Sequence, residues 1–404
     1  MLDTPSPLIP RDAADLLDLI RTASDAETPL ELYGHGSKRG IGHAVAARQS
    51  VDLSALSGVI FYEPEEIVIS VHAATPLAEI EALLAANRQE LAFEPQDYGP
   101  LFGLPRGSGT IGGALAANLG GPRRIKTGSA RDHVLGIEAV SGRGEVFKSG
   151  GRVVKNVTGY DLSRGLSGSW GTLAAFTSLT FKVLPRAEFS STLIVFDLDD
   201  NAGIELLCRA MGSPAEVSGA AHLPAITAAS LPHLGAQGRP CTLIRLEGFK
   251  PSVLYRAERL NALIGPDHEI TRLDEEMSRD LWQAVRDAEA FADHVDPVWR
   301  ISTAPSNGPA FIEALRSAAT FRHYYDWSGG LVWLEVPDAP ADAGASAIRE
   351  TLAQFGGHAT LVRASGVDPS VPRFHPQPAS LAALSRRLKF AFDPLAILNP
   401  GRMG

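Results

Sequence analysis

Residues 107–121 read GSGTIGGALAANLGG, and the fold turns on how this stretch is understood. Gly107, Gly109 and Gly112 complete a literal G-x-G-x-x-G, and Asp132 follows at roughly the 20-residue distance of the ribose-binding acid in a dinucleotide-binding βαβ unit. The residues before it, DYGPLFGLPR (97–106), are broken by glycine and proline. They cannot form the buried parallel strand that such a unit requires. What survives is a small-residue helix, IGGALAANL, capped by Thr110 and ended by Gly120-Gly121. Its first turn should offer free backbone N–H groups and the positive end of a dipole to a phosphate.

Two further glycine clusters flank it. LELY, a strand pattern, runs into Gly34-His35-Gly36-Ser37-Lys38-Arg39-Gly40. Successive N–H groups in such a turn can form an anion-binding nest, with Lys38 or Arg39 adding charge. An ordinary glycine-rich loop accounts for the same residues equally well. Further on, Gly150-Gly151 leads through Lys155 and Asn156 to Gly159-Tyr160-Asp161-Leu162, and then to Gly168-Ser169-Trp170-Gly171-Thr172-Leu173. Taken alone, Lys155 and Asn156 read as solvated loop residues. Three such clusters separated by strands favour a phosphate-bearing cofactor over any single-cluster explanation.

The distribution of glycine supports this. Of 39 glycines, 23 lie in residues 1–187 and 18 of those between Gly99 and Gly171, where the backbone must turn tightly and approach something closely. The chain of 404 residues is 45% hydrophobic and 21% charged, enough for two or three domains with real cores. Its net charge of −9 argues against a nucleic-acid surface. No apolar run reaches the roughly 18 residues of a membrane-spanning helix, and no secretion signal is read at the N-terminus. Cys208 and Cys241 lack partners for a disulfide framework or a metal site. A reduced, cytoplasmic setting follows as the expectation, with no metal. G-x-S-x-G, H-E-x-x-H, C-x-x-C and Walker A patterns are missing, which removes the hydrolases and nucleotide kinases those motifs mark.

Along the chain, residues 12–23 predict a helix, 66–73 a strand, and Thr75-Pro76 the cap and first residue of the helix LAEIEALLAANR. Strands are expected at 134–140 and 172–184. After Pro185 glycine thins and four of the five tryptophans appear. There STLIVFDL, CTLIRLEG, VWRIS, GLVWLEV and HATLVRA predict strands alternating with helices, an α+β region of two related βαβ halves. A last amphipathic helix covers 379–392.

The ordered set GHGSK (34–38), GxGTIGGxxAxNxGG (107–121), GSxRDHVLGIEAV (128–140), GGRVVKNVTGYDLSRGLSGSWGTL (150–173) and FDPLAILNPGRM (392–403) resembles the FAD-binding proteins of the vanillyl-alcohol-oxidase and p-cresol-methylhydroxylase (PCMH) type. Within them it is most similar to the FAD-binding E-subunit family of bacterial glycolate oxidase, over nearly the whole chain. The resemblance implies an α+β fold: a two-lobed PCMH-type FAD-binding domain (1–187), an α+β, ferredoxin-like cap for substrate or partner (188–375), and a C-terminal segment (376–404) returning to the FAD domain. It places Gly34, His35, Gly36, Ser37 and Lys38 at the pyrophosphate. Gly109, Thr110, Ile111, Gly112, Gly113, Asn118 and Gly121 line the diphosphate and ribityl side. Ser129, Asp132 and Val134 continue along the cofactor, with Lys155 and Asn156 as further donors. Gly171, Thr172 and Leu173 approach the adenine end, and Asn399 and Arg402 return near the flavin.

Departures qualify the resemblance. Relatives that attach flavin covalently use a histidine directly after the second glycine of the first loop, and Ser37 stands there, so noncovalent FAD is expected. The turn often written S-E-G-T-L-G-V is Ser169-Trp170-Gly171-Thr172-Leu173-Ala174-Ala175 here. The H-G-D-G-N-x-H segment of the larger catalytic subunit has no counterpart, and His358 is its nearest trace. The implied role is an FAD-binding subunit that works with a larger FAD-binding catalytic subunit and an iron–sulfur subunit to oxidise glycolate or a similar 2-hydroxy acid, in the cytoplasm or peripherally at the inner membrane through that complex. A non-catalytic scaffold and a stand-alone 2-hydroxyacid dehydrogenase are the alternatives. If the chain has a substrate site of its own, a carboxylate needs a cationic anchor, and Arg300 is the candidate, with a structural ion pair as its plainer explanation.

Overall fold

The computed structural model describes residues 6–152, 159–234 and 238–404. Helix α1 (Ala13–Asp25) begins at Asp12, whose carboxylate accepts the amides of Ala14 and Asp15. Its apolar face, Leu16 and Ile20, packs on the short parallel pair β1 (Leu30–Tyr33) and β2 (Gln49–Asp52) and on Ile397 and Leu398 from the end of the chain. This is the smaller lobe. The larger one is a five-stranded sheet in the order β3-β4-β8-β6-β7, formed by β3 (Val59–Glu63), β4 (Val68–His72), β6 (Val134–Ser141), β7 (Val146–Gly150) and β8 (Ala174–Lys182), every pair antiparallel. The two-residue strands β5 (Gln89–Glu90) and β9 (Leu184–Pro185) pair beside it. Helices α2 (Leu77–Ala86) and α3 (Ile111–Ala117) cover this sheet through Leu77, Ile80, Leu84, Ile111, Ala114 and Leu115. The short helices α4 (Arg124–Thr127), α5 (Ala130–His133) and α6 (Leu162–Leu166) follow.

The rest of the chain builds an eight-stranded antiparallel sheet. Its first half runs β10 (Phe189–Phe196), α7 (Asp200–Met211), β11 (Gly219–Leu223), α8 (Ala225–Ala228), β12 (Cys241–Gly248), α9 (Lys250–Ile264) and β13 (Ile270–Asp274), in the spatial order β13-β10-β12-β11. After α10 (Glu275–Arg286), the second half repeats the plan with β14 (Val298–Ser302), α11 (Asn307–Leu315), β15 (Arg322–Asp326), β16 (Leu331–Glu335), α12 (Ala345–Leu352) and β17 (His358–Arg363), ordered β15-β16-β14-β17. Each half is therefore a βαββαβ ferredoxin-like unit, fuller than the two βαβ halves read from sequence. The five expected strands form. β11, β13 and β15 were missed because GAAHL is small-residued and ITRLD and RHYYD lack apolar alternation.

The halves meet through a single registered pair, His222 opposite Tyr325. Side chains reinforce that seam. The carboxylate of Asp200 accepts from His323 Nε2 and from Tyr325 Oη, each at 2.9 Å. One face of the sheet is packed by its own helices. The other meets α10 and, from the two N-terminal lobes, Ile41, Tyr98 and Leu101. Buried ion pairs fasten this second contact: Arg123 binds Glu90 and Glu247, and Arg245 binds Glu94. Helix α13 (Ala379–Phe392) closes the chain. Among the described residues no helix is long and apolar enough to cross a membrane.

Candidate functional site

A cleft lies where β1, α3, the Trp170-Gly171 turn and the chain terminus converge. Its floor is the loop after β1. Gly36 takes φ +76°, and a Cβ on Gly34 would stand 2.9 Å from Thr110 Oγ1, so this glycine lets the loop press against α3. The loop's own bonds run from Arg39 N–H to Gly36 O and from Ile41 N–H to Lys38 O. The N–H groups of His35, Gly36, Ser37 and Lys38 have no partner among the described residues, which is the arrangement of an anion nest. Lys38 Nζ is buried there without a hydrogen-bond partner. Burial lowers its proton affinity, against the pull of Asp97 and Asp287.

Helix α3 contributes differently from expectation. Thr110 caps it, accepting the Gly113 amide at 3.2 Å. The amides of Ile111, Gly112 and Ala114 go to Thr75 O, Ala73 O and Thr110 O at 3.1, 2.7 and 2.9 Å. Its first turn therefore has no spare donors to offer, because the preceding strand end takes them. The helix instead supplies a wall of minimal side chains, Gly112, Gly113, Ala116 and Ala117. A Cβ on Gly112 would lie 2.6 Å from Ala73 O. The helix also ends earlier than read, at Asn118 in the left-handed region. Thr75 does not cap α2, where Pro76 occupies the cap position. Its hydroxyl accepts the Gly58 amide at 3.0 Å and donates to His72 O at 2.7 Å.

The chain terminus holds the loops in place. Asn399 Oδ1 accepts the Leu32 amide at 2.7 Å, while its Nδ2 donates to Trp170 O at 2.9 Å. Arg402 Nη1 donates to the carbonyls of Arg39 and Ile41, both at 2.8 Å. Of the residues singled out in the sequence, Gly34 to Lys38, Thr110, Gly112, Gly113, Gly171, Asn399 and Arg402 thus line one cleft. Gly109 sits just behind it, its Cβ position 3.7 Å from Lys38 Nζ.

Others lie off the cleft wall. Ile111, Val134 and Leu173 are core. Asn118 Oδ1 accepts the Arg131 amide, Gly121 O accepts from Trp327 Nε1, Ser129 and Asp132 form a capping box, and Thr172 Oγ1 donates to Ser169 O. Lys155 and Asn156 fall outside the described residues. The sequence reading missed the Ala73-Ala74 and Ala174-Ala175 pairs and Trp170 as cleft lining. Small residues paired on strands beside glycine loops were the available signal.

Arg300 is buried on the cap sheet and forms no ion pair among the described residues. Its Nε and Nη2 are unpartnered, so the structural ion pair that offered the plainer explanation is not found.

The fold and the cleft define an FAD-dependent oxidoreductase with a PCMH-type FAD-binding domain, and the FAD binding domain family matches residues 7–150. The chain belongs to the family of glycolate oxidase subunit GlcE: it is 33% identical to that subunit from Escherichia coli (strain K12) over 389 residues, 96% of each chain. It is also 29% identical to a D-lactate dehydrogenase of Archaeoglobus fulgidus over 187 residues, 46% of this chain and 40% of that one. A solved structure of alkyldihydroxyacetonephosphate synthase superposes with a TM-score of 0.69 at 15% identity, over 97% of this chain and 76% of that one, a likeness of fold.

Proposed function

We propose that this chain is the FAD-binding subunit of a glycolate-oxidising complex, holding its FAD noncovalently and working with a larger FAD-binding subunit and an iron–sulfur subunit. The observation that carries the cofactor assignment is the unpaired nest of His35 to Lys38 around an unpartnered buried ammonium. These residues suit a diphosphate: four unpaired backbone donors and one buried cation lie on a single glycine loop that lines the cleft. Bound FAD would supply a hydride acceptor for oxidation of a 2-hydroxy acid to the 2-oxo acid, the hydroxyl proton leaving to a base or to water. The protein's part is to hold and orient. The nest and Lys38 would bind the diphosphate, the small face of α3 would admit the extended cofactor, and Asn399 and Arg402 would keep the loops rigid. Ser37, where covalent relatives carry histidine, supports noncovalent attachment. In this reading residues 1–187 and 376–404 hold FAD, and 188–375 serve substrate or partner.

Its relatives include glycolate oxidase subunits GlcE and GlcD, which supports a multi-subunit assembly. The test is anaerobic glycolate addition to the flavin-loaded chain, alone and with its partner subunits. Bleaching of this chain's flavin only in the assembled complex supports electron relay. Bleaching of the lone chain identifies a stand-alone dehydrogenase, and no flavin in either sample points to a scaffold.

A further inference from the structure

Between the cap sheet and the FAD lobes stand two arginines and a histidine that the cleft does not use. Arg300 projects from β14 and is 6% exposed. Its Cζ lies 4.8 Å from the centre of the Trp327 ring, and Arg124, from α4 in the FAD lobe, places its own Cζ 4.8 Å over the same ring. His358 opens β17, which pairs with β14 so that His358 faces Ser302 and Thr360 faces Arg300. Burial lowers the proton affinity of all three, and repulsion from Arg124 adds to it at Arg300 and His358.

The neighbouring carboxylate forms no ion pair with Arg300 among the described residues. Asp326 is buried, accepts the Trp327 amide at 2.7 Å, and is pushed by burial up to about 7. Buried Tyr98 is within side-chain hydrogen-bonding reach of Arg300, but guanidinium N–H groups left buried without an acceptor are costly, and an anion removes that cost. The unpartnered atoms on Arg300 are Nε and Nη2, two donors along one edge of the fork, spaced for the two oxygens of a single carboxylate. Trp327 Nε1 donates to Gly121 O at 3.0 Å, tying the group to the FAD lobe. Trp170, a wall of the cleft, packs beside Phe374 and against the apolar core that also contains Trp327.

We infer that Arg300, with Arg124 and His358 beside it and Trp327 as its floor, is a binding site for a small carboxylate. Assigning that carboxylate to the substrate rests on the 2-hydroxy acid reading above, whereas the site itself does not.

Oxalate, which flavin cannot oxidise as a 2-hydroxy acid, is the probe, and inorganic phosphate is the comparison. Binding to the full chain is followed by tryptophan fluorescence and by calorimetry. Oxalate is expected to bind more tightly than phosphate and to perturb the fluorescence. Arg300→Gln and Arg300→Lys should each weaken oxalate about tenfold to a hundredfold, by loss of the paired charge-assisted bonds. Arg124→Gln should weaken it less, and flavin absorbance should be unchanged throughout. Unaltered oxalate affinity in folded Arg300→Lys and Arg124→Gln, no oxalate binding to the wild type, or tighter binding of phosphate overturns the assignment. Arg300-dependent oxalate binding in a chain that glycolate never reduces, alone or in complex, upholds the site and refutes the substrate reading.

Discussion

The cofactor cleft and the cap sheet are built by opposite means. The cleft is made of backbone: free N–H groups, glycines at positive φ or against a neighbouring strand, and alanines that leave room. The cap face is made of side chains that the fold gathers from distant places: Arg300 from β14, Trp327 after β15, His358 from β17 and Arg124 from the other lobe. A backbone site leaves a local mark in the sequence, because each position demands glycine or alanine. A side-chain site leaves none until the strands are paired.

The largest expected effect would come from filling the backbone site. Gly112→Val puts carbon where Ala73 O already stands at 2.6 Å from the Cβ position, so the purified variant should retain no FAD; stoichiometric flavin would break the contrast at its cleft end. Next is the polar joint between the two regions. Arg123→Ala leaves Glu90 buried without its partner and Glu247 with Arg245 alone, and urea unfolding should register a loss of about 3 kcal/mol. Burial works against a charged Glu247, yet Arg245 and Arg123 hold it well below the usual carboxylate range, so a loss near zero would mean the joint is not the fastening described.

A smaller effect, and one that reverses with pH, belongs to the cap. Asp326, pushed up to about 7 in the folded chain, would sit near 3.9 when unfolded. A raised carboxyl pKa withdraws stability as pH rises from the unfolded value to the folded one. Asp326→Asn should therefore match the wild type at roughly pH 4 and exceed it by about 2–4 kcal/mol at about pH 8. Equal melting temperatures across that range would contradict the description of its surroundings. The smallest effect is Lys38→Met, which should weaken FAD about tenfold through loss of one charge-assisted contact, read by titrating FAD into the stripped variant.

The same contrast explains what could be read without coordinates. Gly34 to Lys38, Gly112, Gly113, Gly171, Asn399 and Arg402 were legible, and the structure gathers them in one cleft. Yet the role of α3 was misjudged, because the strand end at Ala73 and Thr75 that consumes its amides is more than thirty residues away. In the cap, the five apolar strands were legible. β11, β13 and β15 were not, since a strand of small or charged residues draws its stability from neighbours. The seam at Asp200, His323 and Tyr325 and the whole surroundings of Arg300 likewise exist only after pairing.

The central claim is that this cleft holds FAD without a covalent bond. The direct measurement is the flavin content of the purified chain before and after denaturation and filtration. The account predicts about one FAD per folded chain, all of it released into the filtrate, as expected of a site made of backbone donors and one ammonium. Flavin that stays with the denatured protein, or a folded chain that neither carries nor takes up FAD, would contradict it.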